Sequence, residues 1–327
     1  MNTTLAAAVL ALGTAGAAVA PSAQAQDTSS AGLVDALNAT FGSHAGMRAS
    51  HAKGFCAVGE FQPAKGARDF ADVPLFAQKS LPANVRFSIG GGNPKASDKS
   101  RSVRGLSMRV AGGGDSWDLL LISEPAFFAA TPESFVSFLQ ARVLDPATGK
   151  PDPAKVAAHN AAHPDGTRQP ALLAAHAAPS SYASTPYFSN NAFVFSGRGK
   201  KTRHARIVAE PFGAVQYLTA DEEKTLPDLF LQDELARRLA ADPVGFTLYA
   251  QLPAAGDALL DPSTVWQGDG KVELGRLLVK DLAPQEACNG VVYMPLALPA
   301  GIAASEDPIL KARGAPYAIS LSRRTKQ

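Results

Sequence analysis

Three kinds of side chain in this chain could do chemistry by their type and spacing: the histidines, the two cysteines, and a tyrosine four residues after an arginine. His159 and His163 have the i, i+4 spacing that can hold zinc on a helix. They lack the glutamate of a zinc-protease motif, and Pro164 follows at once, so they read as ordinary packed or solvated side chains, as do His44, His176 and His204. Cys56 and Cys288 lie far apart in sequence and outside any C-x-x-C spacing; one disulfide and two buried thiols are both open. Arg313 and Tyr317 would share one helical face. By spacing alone the two read as side chains on the surface of an amphipathic helix. Pro316 stands between them, and proline breaks a helix interior, which predicts a helix beginning near residue 316.

The elements that must position these residues are mostly short and strand-like. Segments 85–89, 106–110 and 117–122 read as strands separated by two triple glycines, 90–92 and 112–114. Neither triplet precedes Gly-Lys-Ser/Thr, so neither is a phosphate loop. Thr131 followed by Pro132 predicts a helix start, with Phe135, Phe138 and Leu139 on its apolar face. Residues 142–186, rich in Ala, Pro and His, read as a long excursion over the surface. Strands are expected again at 192–195, 205–208, 214–218, 246–251 and 274–280. A helix carries Leu231, Leu235 and Leu239, and one or more helices fill 307–324. This succession indicates an α+β fold: an antiparallel sheet or closed barrel with attached helices.

With 46% hydrophobic and 18% charged residues among 327, a sizeable core is expected, and a net charge of +2 gives no basis for a nucleic-acid or membrane-surface partner. Residues 1–25 carry an uncharged apolar run and end in Ala23-Gln24-Ala25, the pattern of a cleaved signal peptide without its usual basic start. The expected organisation is a leader over 1–25 and one domain over 26–327, in the periplasm or secreted.

Five blocks, in order along the chain, give a more specific reading. They are Arg48-Ala49-Ser50-His51-Ala52-Lys53-Gly54-Phe55-Cys56-Ala57-Val58-Gly59-Glu60-Phe61; Val85-Arg86-Phe87-Ser88 with Arg104-Gly105; Trp117-Asp118-Leu119 with Pro125-Ala126-Phe127-Phe128; Val265-Trp266 with Leu274-Gly275-Arg276-Leu277; and the stretch from Pro299 to Pro308 with Arg313-Gly314-Ala315-Pro316-Tyr317. Together they resemble the haem catalase family, in particular its small catalase-related peroxidases, across nearly the whole mature chain. The resemblance implies an eight-stranded antiparallel barrel with haem b buried beside it. It implies Tyr317 as the axial iron ligand, its phenolate favoured by ferric iron and by Arg313. It implies His51 as the distal base, moving a proton from one peroxide oxygen to the other, with Ser88 holding the ring. Arg48, Arg86 and Arg324 match the residues that pair with the haem propionates, and Phe127 and Phe135 match the aromatics that pack on the haem.

The chain also departs from true catalases. Ile122 stands where they carry an asparagine that orients peroxide, Ser102 where they carry an aspartate on the access channel, and Gly90 where a valine narrows it. An aliphatic side chain donates no hydrogen bond. These changes predict a peroxidase that reduces hydrogen peroxide, or organic hydroperoxides, with a small organic reductant through a ferryl intermediate, and with weak catalase activity. The alternatives are a low-activity true catalase, a fatty-acid hydroperoxide isomerase, and a haem carrier without turnover; a distal base argues against the last. No nucleic-acid or membrane partner is expected, and a homodimer is one assembly the reading allows.

Overall fold

In the computed structural model, which describes residues 26–326, ten strands run in chain order: β1 (Gly54–Pro63), β2 (Leu81–Ile89), β3 (Arg104–Gly112), β4 (Asp115–Ile122), β5 (Tyr187–Phe188), β6 (Phe193–Ser196), β7 (Thr202–Pro211), β8 (Val244–Gln251), β9 (Lys271–Ala283) and β10 (Ile302–Ala304). Every pairing is antiparallel. The order β7-β5-β4-β3-β2-β1-β9-β8 returns to β7 through β7–β8 hydrogen bonds, so these eight strands close a barrel. The first half of β7 leaves the ring to pair with β6, which carries β10 on its far edge.

Alternation explains the wall. On β2, Ala83, Val85, Phe87 and Ile89 are buried in one large core with Leu106, Met108 and Val110 of β3 and Trp117, Leu119 and Leu121 of β4. The intervening residues, among them Arg86 and Ser88, therefore point to the opposite face. Gly113 and Gly114, at φ 61° and 84°, make the tight hairpin between β3 and β4, a turn that needs positive φ at both central residues.

Among the described residues ten α-helices lie outside the barrel wall: α1 (Ser30–Phe41), α2 (Ala67–Phe70), α3 (Pro132–Gln140), α4 (Pro153–Ala162), α5 (Arg168–Ala174), α6 (Ala220–Thr225), α7 (Leu231–Ala241), α8 (Glu286–Asn289), α9 (Pro308–Ala312) and α10 (Gly314–Thr325). α3 starts where expected, with Thr131 and Ser134 forming a reciprocal cap. Its buried face is Val136 and Leu139 against Leu33 and Ala36 of α1, while Phe135 and Phe138 are only partly buried.

Three expectations need correction. Segment 142–186 is no mere surface excursion: it forms α4 and α5, then sends Tyr182 into the barrel core. Residues 214–218 form no strand, because Pro211 ends β7; only Tyr217 makes an isolated bridge, to Pro179. The last helix begins at Gly314 rather than at Pro316, which occupies its first turn, where a missing N–H costs nothing. The expected leader, 1–25, lies outside the described residues.

Candidate functional site

The site is built on the outer face of the β2–β4 wall. Gly54, Ser88, Gly105 and Ile122 stand in register across β1, β2, β3 and β4. His51, just before β1, lies over this row. Its Nδ1 is 3.0 Å from Ser88 Oγ, and a Cβ added at Gly105 would come within 2.8 Å of Nδ1. The glycine is thus the space the imidazole occupies. His51 has φ 53°, the left-handed region that non-glycine residues rarely adopt. Arg86 Nη2 donates to the carbonyls of His51 and Ala52, at 2.9 and 3.2 Å, and pins that backbone. Burial first, then the charges of Arg86, Arg313 and Arg48, push the imidazole pKa down to about 3. His51 retains some accessible surface, yet the protein around it is dense enough to disfavour its charged form.

Arg48, Arg86 and Arg324 converge. Arg48 donates to the carbonyls of Cys288 and Val291 and to Asn289 Oδ1, at 3.1, 3.0 and 3.1 Å. Arg324 donates to the Asn289 carbonyl at 3.1 Å. Among the described residues, none of the three forms an ion pair with a carboxylate. Burial and mutual repulsion lower the Arg48 pKa to about 9; burial lowers that of Arg86 to about 10, with Arg324 also disfavouring its charge. Three clustered guanidinium groups facing one another without an anion are costly, and this donor set suits a ligand with two carboxylates.

On α10, Arg313 Nη2 and Nε both donate to Tyr317 Oη, at 2.6 and 3.3 Å. Proline in the first turn has not disturbed the i, i+4 geometry. Arg313 Nη1 donates to Asn191 Oδ1 at 2.9 Å, and Asn191 Nδ2 donates to Asp307 Oδ2 at 2.7 Å; Asp307 also caps α9 through the Ile309 and Leu310 amides. Asn191 and Asp307 were not legible as site residues. An asparagine that orients an arginine carries no signal in sequence until the two are seen in contact.

Phe127 and Phe135 are joined by Phe128, with ring centroids 4.3 Å (Phe127–Phe128) and 5.2 Å (Phe128–Phe135) apart. Phe135 and Phe41 belong to the cluster that includes Ala312, the residue before Arg313. Ala49 N–H donates to Ser320 Oγ at 3.4 Å, tying the His51 segment to α10. The structure therefore gathers all nine expected residues into three groups: His51 with Ser88; the arginines Arg48, Arg86 and Arg324; and Arg313 with Tyr317, near the aromatics. The haem implied by the sequence fits this set: a phenol oxygen that accepts from guanidinium and keeps a lone pair for iron, three anion-seeking arginines, and a stacked aromatic wall.

The catalase family model matches residues 31–325. A catalase-related peroxidase of Synechococcus elongatus is 38% identical over 90% of this chain and 88% of its own. One from Mycolicibacterium paratuberculosis is 33% identical over 89% and 93%. Among solved structures, catalase A of Saccharomyces cerevisiae has a TM-score of 0.77 at 20% identity, over 90% of this chain and 64% of its own. A fungal catalase has the same score over 86% and 60%. The chain thus spans about 60% of the length of these solved catalases and shares their barrel.

Proposed function

The chain belongs to the catalase family of peroxide-acting haem oxidoreductases, and from that premise we propose that it is a haem b peroxidase, reducing hydrogen peroxide with small organic electron donors and evolving little oxygen. The observation that carries this reading is Ile122. It stands in register with Gly105, over which the His51 ring lies, and puts an aliphatic residue on the strand row that the base covers. A site that must hold a second peroxide for oxygen release needs a donor there. A site that only cleaves the first peroxide does not. The two relatives named catalase-related peroxidases support the same reading.

The residues divide the work. Tyr317 would ligate iron, Arg313 would hold its oxygen, Arg48, Arg86 and Arg324 would take the propionates, and Phe127 and Phe135 would pack on the macrocycle. Haem, when bound, supplies the redox centre that accepts oxidising equivalents from peroxide. With its proton on Nδ1 donated to Ser88 Oγ, His51 keeps the Nε2 lone pair as a base. It takes the proton from one peroxide oxygen and returns it to the oxygen that leaves as water. Its lowered pKa keeps it neutral and ready at any physiological pH.

We also assign residues 1–25 to a cleaved leader and the protein to the periplasm or the exterior. The apolar run, the Ala23-Gln24-Ala25 end and a Cys56–Cys288 disulfide, a bond that lasts in oxidising compartments, support this. The test of function sets oxygen evolution against donor oxidation on one haem-loaded preparation. Donor oxidation should dominate; oxygen release far above the best donor rate would make the protein a catalase. A mature N-terminus at Gln26 would bear out the leader.

A further inference from the structure

The Cys56–Cys288 disulfide joins two segments that between them hold all three propionate-type arginines. Cys56 on β1 is the cross-strand partner of Arg86 on β2. Cys288, in α8, opens the segment 288–291, whose carbonyls accept from Arg48 and Arg324. Both sulfurs are fully buried beside Tyr293 and Val291. The segment is also tied by individual hydrogen bonds, Asn84 Nδ2 to the Ala287 carbonyl at 2.8 Å, Gln285 Nε2 to the Gly54 carbonyl at 3.0 Å, Arg109 Nη2 to the Val292 carbonyl at 2.8 Å and the Tyr293 hydroxyl to Asn84 Oδ1, and it follows directly on the β1–β9 pairing, which ends at Cys56 and Ala283. Apart from the main chain, which enters this loop from the end of β9, the crosslink is the one covalent tie between the barrel wall beside Arg86 and the loop orienting Arg48 and Arg324.

We propose that this disulfide is a positioning element for the cofactor: it keeps the Arg48 and Arg324 guanidinium groups preorganised with Arg86 as an anion cradle, and so sets how tightly haem is retained. This rests on the reading of those arginines as propionate partners. The physical reason is that a carbonyl orients a guanidinium only as firmly as its own backbone is held. Guanidinium groups repelling one another scatter when the acceptors loosen, and each ligand carboxylate then has to gather them again at its own cost.

The test compares the parent with Cys56→Ala/Cys288→Ala. Haem release is followed by transfer to excess apomyoglobin, with far-UV circular dichroism to establish folding. The expected result is haem release about tenfold faster or more, the worth of weakening about one charge-assisted hydrogen bond. Release within twofold of the parent in a folded variant overturns the proposal. Arg48→Ala and the double alanine variant should also be non-additive, because the disulfide acts through Arg48; strict additivity would sink the mechanism. Should the variant fail to fold, the folded parent is reduced with a dithiol, which gives two electrons and two protons to the cystine and itself closes to a disulfide. The thiols formed are counted by alkylation and mass. Unchanged haem release in protein carrying two free thiols overturns the proposal equally. A third readout needs no haem. Amide exchange in the haem-free protein should rise over 286–293 on loss of the crosslink while the barrel strands stay protected; a uniform rise, or none, is the overturning result. That arm keeps failure of this inference distinct from failure of the haem reading itself.

Discussion

A Cβ on Gly105 would lie 2.8 Å from His51 Nδ1 and 2.5 Å from Ser88 Oγ, so the absence of a side chain at residue 105 is what lets the imidazole settle on its serine. Gly105→Ala should therefore leave the barrel folded and haem bound while tilting the His51 ring off its hydrogen bond. A misplacement of that order costs about 10²-fold in rate. Stopped-flow mixing with peroxide measures it; a rate within threefold of the parent would mean that Ser88 does not set the ring's position.

Removing the base itself should cost more. His51→Ala is expected to keep haem and slow the peroxide reaction by about 10²–10⁴-fold. The parent rate should be flat from pH 8 to pH 5, since the ring stays neutral until about pH 3. The sign for stability follows. An unfolded imidazole takes its proton near pH ~6.5, whereas the folded one resists. The stability His51 contributes is therefore present above pH ~6.5 and lost as pH falls toward 3. Thermal melts should show His51→Ala losing less stability than the parent between pH 7 and pH 4. A parent rate falling tenfold between pH 7 and pH 5.5 would contradict the neutral-base reading.

Asn191 is the next test. It accepts from Arg313 and donates to Asp307, whose carboxyl burial raises toward the neutral form. Asn191→Ala strands both partners and should destabilise the protein by about 1–3 kcal/mol. It should also alter the haem absorption spectrum in the same sense as Tyr317→Phe, though less, because Tyr317→Phe removes the proposed ligand and should lose most of the haem. An Asn191→Ala spectrum identical to the parent's would show that Asn191 serves only the fold.

Restoring an amide at residue 122 tests the balance of activities. Ile122→Asn should raise oxygen release by roughly 2- to 13-fold, the worth of a net hydrogen bond of about 0.5–1.5 kcal/mol, while oxidation of a bulky dye stays level or falls. Unchanged oxygen evolution would move the discriminating feature elsewhere, for instance to Gly90 and Ser102.

The strands carrying the site were legible because apolar alternation and glycine punctuation coincide at 81–122. β1 was not, since Gly54, Gly59 and Pro63 interrupt its pattern; nor was α1, which lies in a segment that carries no site residue. Residues 142–186 misled by composition: alanine and proline suggest an exposed loop, but Tyr182 is a core residue whose burial only the barrel supplies. Seven of the nine expected site residues lie in the ordered blocks, and Phe135 and Arg324 followed from the resemblance those blocks carry rather than from periodicity. The contacts that hold them in place, Asn191 on Arg313 and the 288–291 carbonyls on Arg48 and Arg324, are backbone or amide groups common to any sequence. The cysteine pairing likewise had to wait for the fold.

The ladder in which β1 pairs with both β2 and β9 also fixes an order of events in the protein's birth. Cys56, Arg48 and His51 emerge from the ribosome long before their companions Cys288, Tyr317 and Arg324. No nascent chain that stops short of β9 can close its barrel, and none that stops short of α10 can present Tyr317. Contacts of such long range make for slow folding. The site can therefore be completed only once the chain has been made through α10, so any group it holds is taken up by a chain that already carries its whole barrel.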